Sequence, residues 1–183
     1  MIRVLALLVM FIPSIALARD ANWVQPLTLA GVTNLNQVTP NIYRSAQPDI
    51  DGFANMSKKL KLKTVIDLRE SQTDAAYLGS TKINPYYVPM NAMHITTDQV
   101  VAALKLIKAH ESEGPILVHC LHGADRTGVV IAMYRIIYQG WNKAQAIDEM
   151  ENGGFNFHSI FFNIPSFIKN ADISAIKAAL AKS

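Results

Sequence analysis

The sequence predicts an α/β fold in which a central sheet, flanked by helices, carries a phosphate site between a strand and a helix. Three observations point there. Short β-branched apolar runs alternate along the chain with stretches of helical periodicity. Pro115-Ile-Leu-Val-His119 has the composition of a buried strand, and Thr127 to Gln139 that of a buried helix. Between them lies His119-Cys120-Leu121-His122-Gly123-Ala124-Asp125-Arg126-Thr127-Gly128, which holds the chain's one cysteine and places an arginine after five intervening residues.

In chain order, Ile42-Tyr43-Arg44 reads as an edge strand running into a turn at Gln47-Pro48-Asp49. Asp49 to Leu62 reads as a helix, with Ile50, Phe53, Met56 and Leu60 near helical spacing. Thr64 to Leu68 is a strand, Ser71 to Leu78 a weaker helical stretch, and Pro85 to Val88 another strand. Thr97 is placed to cap a helix over Asp98 to His110, whose Val100, Val101, Leu104 and Ile107 form an apolar face. Gly114-Pro115 stops that helix and opens the strand that feeds the loop. Beyond the helix at Thr127–Gln139, Asn142 caps Lys143 to Glu151, Gly153-Gly154 ends it, and a last helix runs near Ile173 to Lys182. No internal repeat, low-complexity tract or linker interrupts the chain, so one domain is expected.

The loop's chemistry follows from its place. A turn between a strand's end and a helix's start directs several backbone N–H groups inward, where they can surround a tetrahedral oxyanion, and the helix dipole adds to the attraction. Leu121, His122, Gly123, Ala124, Asp125 and Arg126 would supply that phosphate cradle. Cys120, at its start, sits in a field of N–H dipoles that favours thiolate, the nucleophilic form. Arg126 closes the loop with a planar fork able to bind two equatorial phosphoryl oxygens. Thr127 is placed to donate its hydroxyl to the Cys120 sulfur, or simply to cap the helix. Gly123 and Gly128 suit tight backbone geometry and close helix packing.

This loop, with the surrounding Asn41-Ile-Tyr-Arg-Ser-Ala-Gln-Pro48, Lys63-Thr-Val-Ile-Asp-Leu-Arg69, Ala132-Met-Tyr-Arg135, Gln139-Gly-Trp141 and Gly153-Gly-Phe155, resembles the cysteine-dependent dual-specificity and tyrosine phosphatase superfamily. Within it, the chain resembles bacterial periplasmic members. The resemblance implies a phosphatase-like sheet and hydrolysis of phosphotyrosine, with phosphoserine and phosphothreonine as further substrates, through a phosphocysteine intermediate and without metal or cofactor. It also implies that His119 is a supporting residue that orients the loop. The family's acid aspartate, aligned back from Cys120 without gaps, falls at Met93, which cannot donate a proton.

Two carboxylates remain for that task. Asp98 reads as first-turn helix decoration, yet a displaced acid loop would bring it in. Asp125 lies inside the loop beside Arg126, as in relatives of the lipid-directed branch, and a bound phosphate dianion nearby would favour its protonated form. Alternatively, Asp125 pairs with Arg44 or Arg69 and braces the loop. Those two arginines end predicted strands on the loop side of the sheet, where they would support the loop or be merely solvated. The histidines at 94, 110 and 158 have no spacing that suggests a metal site.

Composition bounds the rest. Arg3, the apolar run through Ile15 and Ala16-Leu17-Ala18 have the order of a secretory signal peptide cleaved after Ala18, which places residues 19–183 in the periplasm or outside the cell. An uncleaved anchor is the weaker alternative, because Pro13 and Ser14 break a run already shorter than a span. The formal net charge of +3 falls by one when Arg3 is removed, and no basic stripe carries interleaved aromatics, so nucleic acid is a poor partner. One cysteine excludes an internal disulfide and any multi-cysteine zinc site. The expected partner is a phosphorylated protein, with a phosphoinositide or inositol phosphate as the alternative and no stable membrane insertion after cleavage. The absence of lysine from the loop disfavours highly phosphorylated inositols. A third reading is a phosphate-binding pseudophosphatase that lost its acid at Met93.

Overall fold

The computed structural model describes residues 20–71 and 73–182. The signal-peptide segment and its cleavage point lie outside them. Among the described residues no helix is long and apolar enough to cross a membrane.

Among the described residues six strands form one sheet: β1 Gln25–Pro26, β2 Asn36–Thr39, β3 Ile42–Ser45, β4 Thr64–Asp67, β5 Asn84–Tyr87 and β6 Ile116–His119, in the order β1-β2-β3-β6-β4-β5. The last four of that order run parallel, while β1 and β2 join antiparallel. Parallel strands covered on both faces read as continuous apolar runs, and Ile116-Leu117-Val118 is fully buried. The two-residue period divides the core. Ile42, Ile66, Ile116 and Val118 join one cluster, while Tyr43, Val65 and Leu117 point into the other.

The first cluster is covered by α3 Thr97–His110, α4 Asp125–Tyr138, α5 Lys143–Asn152, α6 Asn163–Asn170 and α7 Ile173–Leu180. The second lies under α1 Ile50–Asn55, its continuation as a π-turn over Met56–Leu60, and the short α2 Ala75–Leu78. Asp49 caps α1 through a 2.7 Å bond from the Gly52 N–H, and Lys61 at φ 57° ends the run.

Several expectations require correction. Ile42–Arg44 is not an edge: β3 lies between β2 and β6 and all four of its residues are buried. The strands outside it have polar sequences, Asn-Gln-Val-Thr and Gln-Pro, that carry little strand signal. The cap of α3 is Thr96 rather than Thr97, in a capping box with Gln99. Asn142 caps α5 through the same device, with Gln145. The helix after the loop begins at Asp125, two residues earlier than expected, and the Ser71–Leu78 stretch is helical only over its last turn. Helix α6 escaped notice because Pro165 sits within it, tolerated in the first turn where its missing N–H would have no helical partner.

One buried charge cluster ties the N-terminal segment to the helices behind the sheet. Arg135 on α4 meets Glu149 on α5 through Nε–Oε2 at 2.9 Å and Nη2–Oε1 at 2.7 Å. Glu149 Oε1 also accepts the Val24 N–H at 2.8 Å, and the Arg135 guanidinium lies 4.4 Å from the Trp141 ring centroid.

Candidate active site

Strand β6 ends in the middle of the sheet with parallel neighbours on both sides, so the chain leaving it enters a crevice at the strands' carboxyl ends. His119 is in register with Ser45 of β3 and Asp67 of β4, which places the ends of those strands beside the loop. Cys120 follows, buried, and α4 starts at Asp125.

The loop's backbone is held by its carbonyls. Leu121 O accepts the Gln47 N–H at 3.2 Å, and His122 O accepts Asn34 Nδ2 at 2.9 Å. Gly123 O and Ala124 O accept Arg44 Nη2 at 2.8 and 3.4 Å. In a trans peptide the N–H points opposite to the C=O of the same plane. Anchoring these four carbonyls to the surrounding structure therefore turns the N–H groups of His122, Gly123, Ala124 and Asp125 away from those anchors. Helix α4 has no side-chain cap hydrogen bond among the described residues, the condition under which a helix N-terminus is available to an anion.

Each anchor is itself fixed. Arg44 is buried beneath the loop with its guanidinium 3.7 Å from the centroid of the Phe155 ring. Asn34, at φ 52°, bridges His122 O and Phe155 O. Gly123 adopts φ 69° directly over β3: a Cβ there would sit 2.3 Å from the Ser45 carbonyl carbon and oxygen. No other residue fits without moving the loop. Gly128, one turn into α4, lets Met150 of α5 approach to 2.9 Å of the position a Cβ would take.

A second network holds the base of the nucleophile. His119 Nε2 lies 2.7 Å from Asp74 Oδ2, and Nδ1 lies 3.2 Å from Cys120 O, so both ring nitrogens are committed and the ring cannot turn. Asp74 Oδ1 accepts Arg69 Nη2 at 3.0 Å and Gln47 Nε2 at 3.1 Å. Arg69 reaches both oxygens of Asp67 as well, at 3.0 and 2.9 Å. Burial works against the Arg69 charge, but the hydrogen bond to Asp67 and the charges of Asp67 and Asp74 outweigh it, raising its pKa above the ordinary guanidinium value. With these oxygens occupied, the buried Asp67–Asp74–His119 group is an ion-pair network.

The other site residues are spread around the mouth. Arg126 is held by a 3.4 Å bond from Nη1 to Met90 O, and with Arg69, Glu70, Ser71 and Leu121 it lines a cavity of about 200 Å³. The Thr127 hydroxyl is buried and has no hydrogen-bond partner among the described residues, so it does not donate to the Cys120 sulfur here. Met93, where the family's acid would stand, is exposed. Asp98 is exposed in the first turn of α3, with no bond linking it to the loop among the described residues.

Asp125 pairs with neither Arg44 nor Arg69. Its oxygens accept the His158 N–H at 3.0 Å and face His158 Nδ1 at 2.9 Å. Asn34, Gln47, Asp74, Phe155 and His158 are thus participants that the sequence did not single out. Gln47 and Phe155 lie in stretches that resembled the superfamily, which was the one available signal.

Comparison with known proteins gives concordant results. A model of the tyrosine phosphatase family matches residues 30–182. The dual specificity protein phosphatase TpbA of Pseudomonas aeruginosa is 34% identical over 166 residues, covering 91% of this chain and 74% of that protein. Its crystal structure aligns with a TM-score of 0.81 over 90% of this chain and 99% of that one, at 34% identity. A TpbA structure in complex with pTyr gives 0.80 at 33% identity, with the same 90% and 99% coverage. The core catalytic domain of the PP-IP phosphatase SIW14 from Saccharomyces cerevisiae gives 0.72 at 29% identity, covering 85% and 95% of the two chains.

Proposed function

The chain belongs to the tyrosine phosphatase family, and from that premise we propose that it is an exported phosphomonoesterase acting on phosphotyrosine proteins, and on phosphoserine and phosphothreonine secondarily, through a phosphocysteine intermediate. The observation that carries this reading is the anchoring of four successive carbonyls after Cys120, from Leu121 to Ala124, on the surrounding structure. It supports an oxyanion cradle formed before substrate arrives, whose donors need no reorganisation as charge develops.

In this mechanism the Cys120 sulfur attacks phosphorus in line with the leaving oxygen, forming the S–P bond as the P–O ester bond breaks. The loop N–H groups and the Arg126 fork hold the equatorial oxygens. Thr127, whose buried hydroxyl has no hydrogen-bond partner among the described residues, is free to turn its O–H toward the sulfur and stabilise the thiolate that leaves when the phosphocysteine is hydrolysed. The leaving oxygen takes its proton from Asp125, and the resulting carboxylate then takes a proton from the water that attacks phosphorus. Support for Asp125 over Asp98 comes from its burial at the loop rim and from His158, which presents a ring nitrogen able to share that proton.

Exposed apolar side chains favour an aryl phosphate over a polyphosphorylated inositol. Leu121 lies in the loop and Met93 on the segment that follows Met90, the Arg126 partner. Ile160 and Phe162 lie on a stretch pinned to the rim at His158 and to Ala92 O by Asn163 Nδ2 at 2.8 Å. The likeness to SIW14 makes an inositol pyrophosphate the reading to test against it. The order of Arg3, the apolar run and Ala16-Leu17-Ala18 supports export with cleavage after Ala18.

Assay of the purified chain lacking Met1 to Ala18 against phosphotyrosine, phosphoserine and phosphothreonine peptides and a diphosphoinositol phosphate decides the matter. The phosphotyrosine peptide should give the highest kcat/KM, by about tenfold or more, the range that a matched apolar contact provides. Preference for the diphosphoinositol phosphate would transfer the chain to the alternative class. Binding of all four without turnover would make it a pseudophosphatase.

A further inference from the structure

At the loop rim, His122, Asp125 and His158 present one ligand atom each, and these atoms lie within 4.8 Å of one another. We propose that these three residues form a reversible zinc site at the edge of the phosphate loop.

The chemistry of the set fits. Two imidazoles and one carboxylate are borderline donors that suit Zn²⁺, and three protein ligands with an open position are the pattern of exchangeable sites. The geometry is close to what is needed. Asp125 is buried and fixed by the His158 backbone N–H, so its carboxylate is a rigid starting point. His158 Nδ1 already stands 2.9 Å from Asp125 Oδ2, and its ring is flanked edge-on by His122, at a centroid distance of 5.2 Å, and by Phe161, at 6.2 Å. Ligand atoms bound to one zinc at about 2.0–2.1 Å are separated by somewhat more than 3 Å, so a small rotation of the exposed His122 side chain completes the set. Both histidines line a cavity of about 600 Å³, which gives the ion a path in and water to fill its remaining position.

Binding involves no redox step. The ligands bind as neutral imidazole and ionised carboxylate, so any proton they carry at those atoms leaves to solvent. Nothing in the sequence announces the site, because the ligands come from two loop positions and one distant histidine. The site is separate from the buried Asp67–Asp74–His119 group, whose oxygens already serve Arg69. Where Asp125 acts as proton donor, as proposed above, bound zinc also slows turnover, since it occupies that carboxylate.

The test measures binding rather than activity, so it stands whether or not the catalytic reading does. The chain lacking Met1 to Ala18 and its Cys120→Ser variant are titrated with Zn²⁺ against a chromophoric chelator, and Co²⁺ is used in parallel for its visible spectrum. Both proteins should bind one equivalent, with a Co²⁺ spectrum free of thiolate charge-transfer. His122→Ala and His158→Ala should each weaken zinc by about tenfold or more, the cost of losing even a supporting group at such a site. His110→Ala, remote on α3, should bind normally, and thermal melts of each variant confirm folding. Loss of binding on Cys120→Ser, undiminished binding in the two rim variants, or no saturable binding in the parent would each overturn the proposal.

Discussion

His158 engages both carboxylate oxygens of Asp125, its backbone N–H at 3.0 Å from Oδ1 and its Nδ1 at 2.9 Å from Oδ2. These residues are 33 positions apart, and the contact places a titratable ring against the carboxylate on the loop rim. His158, and neither arginine, is therefore the partner of Asp125, and proton delivery by this pair is open to direct test.

Asp125→Asn answers that. If the pair protonates the leaving oxygen, kcat for a phosphotyrosine peptide should fall by roughly 10²–10⁴, the usual span for general acid catalysis. The loss should shrink for an aryl phosphate with a much better leaving group. Equal losses on both substrates would mean that Asp125 only holds the loop's shape. A leaving-group-dependent loss in Asp98→Asn instead would move the acid to α3.

Gly123 is predicted to be irreplaceable for geometric reasons. Its positive φ and the 2.3 Å separation between a built Cβ and the Ser45 carbonyl force Gly123→Ala to lift the loop off β3. A displacement of that size should lower kcat/KM about 10²-fold, with weakened protection by phosphate, while the sheet and helices persist. A crystal structure or amide-exchange map of the variant showing an unmoved loop and normal kinetics would contradict the account.

The central strand and helices α3 and α5 were legible because local periodicity and capping chemistry determine them: Ile116 to Val118 is one apolar run, and Asn142 with Gln145 is a complete capping box. The anchors of the loop were not. Arg44 reaches Gly123 O across 79 positions, and Asn34 reaches His122 O across 88, by side-chain-to-backbone bonds that impose no spacing. Asp74 likewise sat in a weak helical stretch and became visible as a hub only when Arg69, Gln47 and His119 converged on it. Polar β2 was missed because its ladder to β3, rather than its composition, makes it a strand.

The Arg135–Glu149 pair separates stability from catalysis. Removing one partner leaves a buried charge uncompensated, so Arg135→Met should destabilise by about 3–5 kcal/mol. For a domain of this size that lowers Tm by roughly 10 °C. Below the transition, turnover per folded molecule should be close to that of the parent, as assay of the soluble fraction would check. An unchanged melt would show that the cluster contributes nothing.

Processing is checked on protein recovered from its native compartment. Intact-mass measurement should find an amino terminus at Arg19. A chain still beginning at Met1 in a membrane fraction would establish the anchor in place of the cleaved signal.

The phosphocysteine itself is the most direct test of the account. Rapid acid quench of the enzyme with a phosphotyrosine peptide, followed by peptide mapping, should place one phosphoryl group on Cys120. The label should be absent from Cys120→Ser and reduced in Arg126→Lys, where a point charge replaces the planar fork. Turnover with no phosphoryl group trapped on Cys120, or hydrolysis persisting in Cys120→Ser after contamination is excluded, would contradict it.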